Sequence, residues 1–109
     1  MIHIVADRAT PQQIKEMLAE LKTYIKLTVD VKREIIAGGG ALHADCEAAL
    51  IEDGSDQTDI WGADWFPDSQ EIQFVSLINI RPKQGNRSMT VSDPALQAVM
   101  ERIIRAQLS

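Results

Sequence analysis

A chain of 109 residues that is 45% hydrophobic and 25% charged has the size and composition of one folded domain, which excludes a disordered tail. Its net charge of −5 at pH 7 excludes general nucleic-acid binding, because a polyanion is held by a basic surface that displaces counterions. A single cysteine, Cys46, leaves no internal disulfide and points to a reducing compartment.

The start, MIHIVADRAT, has no basic region ahead of an apolar core, and no segment has the length of a membrane span. A cytoplasmic protein without a membrane partner is expected, with one domain over residues 1–109. No repeat or linker interrupts it. IHIVA (2–6) reads as a short strand. TPQQIKEMLAELKTYI (10–25) reads as a helix, with Thr10 and Gln13 forming a capping box, Pro11 in the first turn, and Ile14, Met17, Leu18, Leu21 and Ile25 on one stripe.

The period then changes to two. KLTVDVKREIIA (26–37) and ALHADCEAALI (41–51) read as two strands of a hairpin joined through Gly38-Gly39-Gly40. The register that keeps apolar faces together sets Ile35 opposite Leu42 and Val31 opposite Cys46. It pairs Glu34 with His43, Lys32 with Asp45, and Asp30 with Glu47 on the polar face.

A second hairpin is expected from DIWGADWF (59–66) and EIQFVSLINIR (71–81) around a turn at 67–70. The last strand is apolar on both faces, which suits a buried position. SDPALQAVMERIIRAQL (92–108) closes the chain as a helix capped by Asp93, with Leu96, Val99, Met100 and Ile103 as its apolar stripe. The expected fold is α+β and two-layered: a mainly antiparallel sheet of four or five strands, with the N- and C-terminal helices on one face. The other face then needs a loop or a second subunit. A homodimer is expected, touching through Val75, Leu77 and one of Trp61 or Trp65.

Charge is segregated. Nine acids and no base lie between Asp45 and Glu71, whereas Arg81, Lys83 and Arg87 are the only charged residues between Ile72 and Ser92. Two guanidinium groups suit a phosphate or carboxylate, and Asn86, Ser88 and the backbone near Gly85 could add donors. Arg81, Lys83, Asn86, Arg87 and Ser88 are therefore candidate ligands for an anion. The competing reading pairs Arg81 and Arg87 with the chain's own acids, such as Asp59 or Asp64. As a strand, residues 41–51 would put His43, Asp45 and Glu47 on one face, a weak candidate metal set that Lys32 disfavours. Cys46 faces away and reads as a small core residue. Gly38-Gly39-Gly40 reads as a turn and not a phosphate cradle, because a strand is expected to follow. No motif calls for a cofactor.

Three stretches carry a resemblance: His43-Ala44-Asp45-Cys46-Glu47, Trp61-Gly62-Ala63-Asp64-Trp65, and Arg81-Pro82 followed by Gly85-Asn86-Arg87-Ser88-Met89. With these the chain resembles, from about its first helix to its last, a family of small bacterial proteins classed only as a domain of unknown function. The resemblance implies a compact α+β domain and brings no activity. Two functional classes stay open. The first is a non-enzymatic binding module using the 81–89 loop against an anionic small molecule or an acidic protein surface. The second is a small metal-dependent or hydrolytic enzyme using His43 with Asp45 or Glu47. No nucleophile, base and orienting group can be assembled along the chain, which favours the first.

Overall fold

Thr10 opens the first helix as its sequence indicates: its hydroxyl accepts from the Gln13 N–H at 3.1 Å and the Gln13 side chain accepts from the Thr10 N–H at 2.9 Å. The computed structural model describes residues 1–108. Strand β1 (His3–Val5) precedes this helix, α1 (Pro11–Met17). The helix is shorter than its apolar stripe suggests. It ends before Lys22, which takes a left-handed φ of 70°, and Ile25 already opens strand β2 (Ile25–Asp30).

The turn after β2 overturns the expected glycine hairpin. Asp30 Oδ1 accepts from the backbone N–H groups of Lys32 and Arg33, both at 2.9 Å, and Glu34 adopts φ 57°. An aspartate that captures the backbone two and three residues ahead closes a turn without glycine. The chain therefore reverses at Val31–Glu34 into β3 (Ile35–Gly38), pairing Val29 with Ile36 and Leu27 with Gly38. The expected pairs Glu34–His43, Lys32–Asp45 and Asp30–Glu47 do not form.

Gly38 ends β3, and Gly39 takes φ 106° in a crowded place: a Cβ there would lie 2.1 Å from the Met1 carbonyl oxygen and 2.9 Å from Met17 Cα. The next element is helix α2 (His43–Glu52), where a strand was expected. Leu42, Cys46 and Leu50 alternate with polar residues in the sequence, but they are also four apart, which is helical spacing. Alanines at 44, 48 and 49 favour the helix further.

Strands β4 (Ile60–Phe66) and β5 (Glu71–Gln73) form the second hairpin, with Trp65 opposite Ile72. The sheet order is β1-β3-β2-β4-β5, antiparallel throughout, so the α+β class and the antiparallel sheet hold. Helix α3 (Pro94–Leu108) ends the described chain, and Asp93 accepts from the Ala95 N–H at 2.9 Å as its cap.

Side chains alternate across the sheet into two clusters. One joins Ile25, Leu27, Val29, Ile36, Trp61, Ala63 and Trp65 with Met17 of α1 and Met100, Ile103 and Ile104 of α3. The other joins Ile35, Ala37 and Ile60 with Cys46 and Leu50 of α2. The second face is thus covered by the chain's own α2, and the expected two layers gain a third. Trp61 and Trp65 are buried in the first cluster, so neither is available as an intersubunit contact. No helix among the described residues is long and apolar enough to cross a membrane.

Candidate functional site

Past β5 the chain was expected to continue as a strand. Instead it folds into short 3-10 turns at Leu77–Asn79 and Pro82–Gln84. These complete the open edge of β4 with side chains. The Asn79 amide donates to the Gly62 carbonyl at 3.0 Å, and its oxygen accepts from the Gly62 N–H at 2.8 Å, as a strand partner would. Arg81 caps the Ile60 carbonyl two residues along. An edge closed in this way offers no template for another strand. Gly62 admits the turn, since a Cβ there would lie 2.7 Å from Ser76 Cβ.

Arg81 is the centre of this segment. Its Nε donates to Ile78 O at 3.0 Å, Nη1 to Gln57 O at 2.7 Å and Gln84 Oε1 at 3.4 Å, and Nη2 to Ile60 O and Glu47 Oε2, the last at 3.3 Å. The guanidinium also lies 4.7 Å from the centre of the Trp61 ring, within cation–π range. All five N–H groups therefore have acceptors within the chain. Burial lowers the Arg81 pKa from its ordinary value, and the Glu47 carboxylate counters that shift. The acid beside Arg81 is Glu47, not the Asp59 or Asp64 suggested by sequence.

Asn86 is also turned inward. Its amide donates to Asn79 O, Ser88 O and Thr90 O at 2.7, 3.0 and 3.0 Å, and its oxygen accepts from the Ser92 N–H and hydroxyl at 2.9 and 2.8 Å. Gly85, at φ 81°, lets Arg81 and Asn86 exchange backbone hydrogen bonds around the turn. Lys83, Arg87 and Ser88 are exposed, and the Ser88 hydroxyl donates to Thr90 O at 2.9 Å. Lys83 and Arg87 make no ion pair among the described residues. The five candidate anion ligands thus divide into two inward-facing and three outward-facing residues.

The candidate metal set does not converge. On a helix, Asp45 projects about 200° around from His43, whereas Glu47 returns to within about 40°. Asp45 is exposed, Glu47 meets Arg81, and His43 turns to the sheet. His43 Nε2 lies 2.8 Å from Asp64 Oδ1 and 3.0 Å from Ala63 O. Among the described residues no group of three or more His, Cys, Asp and Glu side chains is placed to hold a metal. Cys46 is buried as a core residue, and burial pushes its thiol pKa up, away from nucleophile chemistry.

Two concavities adjoin this segment, and Leu77 and Ile78 line both. The first, about 610 Å³, holds Arg81, Glu47, Ile80, Pro82 and Lys83. The second, about 440 Å³, holds His43, Asp64, Lys26 and Tyr24. Leu42, Leu77, Ile80 and Met89 add exposed apolar surface around them, with Leu77 the most exposed at 71%. Asp64 as the partner of His43, and Lys26 beside it, escaped sequence reasoning because no local spacing links residues so far apart in the chain.

Residues 3–107 match the family described as "Protein of unknown function (DUF5674)". The chain belongs to this family. No curated protein and no solved structure matches it. Membership in DUF5674 covers the sheet, all three helices and both concavities, and it agrees with the resemblance read from the three sequence stretches.

Proposed function

We propose that the protein is a non-enzymatic binding module whose recognition surface is the apolar face around Leu77, with Lys83 at its border and Arg87 exposed on the same 81–89 loop. The observation that carries this reading is Leu77 itself, 71% exposed on a turn that is held by many internal hydrogen bonds. A large apolar side chain left in water contributes little to its own fold. Ser76, Asn79 and Arg81 nevertheless fix the backbone that displays it. A rigid display lowers the ordering cost of binding, so such a surface is prepared for a partner.

The partner should bring an apolar group to Leu77 and acids to Lys83 and Arg87. A second copy of the chain offers both, through the same face and through the exposed acids between Asp45 and Glu71, such as Asp45, Glu52, Asp56 and Asp68. We therefore infer a homodimer that buries Leu77, with half-buried Val75 beside it. Small anions and acidic peptides at Lys83 and Arg87 are the other occupants that such a surface could take. Light scattering at tens of micromolar should give twice the chain mass for wild type. Leu77→Glu should give a single chain mass that stays folded, with a melting temperature lowered only to the value wild type approaches on dilution. A wild type of single mass that no phosphate, carboxylate or acidic peptide stabilises would overturn the reading.

A further inference from the structure

The cavity beside His43 supports a site that does not depend on self-association. Both atoms facing His43 Nε2, Asp64 Oδ1 and Ala63 O, accept hydrogen bonds. Nε2 must therefore carry a proton, and in the neutral ring the lone pair lies on Nδ1. Nδ1 has no partner within the described chain and is not among its buried unpaired atoms, so in the neutral ring it is an open acceptor. Lys26 stands opposite Asp64 in the β2–β4 register, so its side chain leaves the same face of the sheet. Lys26 lines the cavity and makes no ion pair among the described residues. The remaining wall is largely apolar, with Leu42, Val75 and Met89. The volume, about 440 Å³, falls in the range of small-molecule sites.

From this arrangement we infer that the cavity between α2 and the Val75–Ile78 segment binds a small organic acid that carries a hydroxyl group and a short apolar body. The carboxylate meets the Lys26 ammonium, the hydroxyl donates to His43 Nδ1, and the apolar body lies on Leu42, Val75 and Met89. Asp64 is a positioning residue: it holds the ring in the tautomer that accepts. A site built to accept a hydrogen bond discriminates against the analogue that lacks the donor, because its polar atom is then left unpaired.

The test titrates 2-hydroxy-4-methylpentanoate, 4-methylpentanoate and 4-methylpentane-1,2-diol into the protein, reading the carbon-bound ring protons of His43 by NMR. The hydroxy acid should give a saturable shift. Loss of its hydroxyl or of its carboxylate should each weaken binding about tenfold, which is about 1.4 kcal/mol. Lys26→Gln should weaken the hydroxy acid and leave the diol unchanged. The same titration on Ile80→Glu, changed in the exposed collar but outside this cavity, reports the cavity in a chain whose self-association is weakened, so a covered cavity would not hide the site. Equal binding of the two acids would overturn the inference, as would the absence of any saturable shift at His43 in both proteins.

Discussion

Removing the Arg81 guanidinium would leave the carbonyls of Ile60 and Ile78 and the Glu47 carboxylate without their donors, and would leave Gln57 O with the Ile60 N–H alone. Both side chains of the ion pair are nearly covered, at 11% and 13% exposure. Unpaired groups in such a place cost more than the net gain of the bonds that satisfied them. Arg81→Ala is therefore expected to lower stability by about 3 kcal/mol in a urea titration. Arg81→Lys should recover only part of this, because one ammonium cannot serve acceptors spread around a planar fork. A loss below about 1 kcal/mol would show that the bonds around Arg81 contribute little. At this scale the sequence was informative about local chemistry. Thr10 with Gln13, and Asp93 with Ala95, act within three residues, and their roles could be read directly. The inward roles of Arg81 and Asn86 could not, since a positive charge beside a glycine looks the same whether it faces solvent or the chain's own carbonyls.

The turn from Ser76 to Ile80 depends on the strand beside it. Gly62→Ala would press a methyl group against Ser76 and pull Asn79 away from the edge of β4. We expect a stability loss of about 1–3 kcal/mol, the usual range for overpacking. Self-association in light scattering should weaken with it, since Leu77 rides on the displaced turn. Full stability with unchanged association would break the link between turn and edge. Two elements depart from their sequence patterns for related reasons. Residues 41–51 alternate in polarity, yet their bulky apolar members are also four apart, and alanine satisfies either pattern. Residues 74–80 are rich in branched apolar side chains, which suits a strand, but an amide and a guanidinium replace the ladder that a strand would have made. The glycine run misled as well. It looks like a hairpin turn, whereas Asp30 supplies the turn and Gly39 is needed for close approach to Met1 and Met17.

For the molecule as a whole, the α+β class and the antiparallel sheet were legible because periodicity and caps are local signals that sum along the chain. Helix α2 was not, and it changes the grounds for an assembly. With α2 covering the second face, a partner is no longer required to bury a bare sheet. The case for one rests instead on the exposed collar of Leu42, Leu77, Ile80 and Met89, together with the separation of acids and bases along the sequence. Interfaces of this kind combine an apolar centre with a charged rim that sets orientation. The most direct measurement is amide hydrogen exchange at a dilute and a concentrated sample of the same protein. Exchange should slow on concentration in residues 76–90 and around Leu42, and stay unchanged along α3. Identical exchange around Leu77 at both concentrations, or slowing confined to α3, would contradict the claim that this face is where the protein meets a second copy of itself.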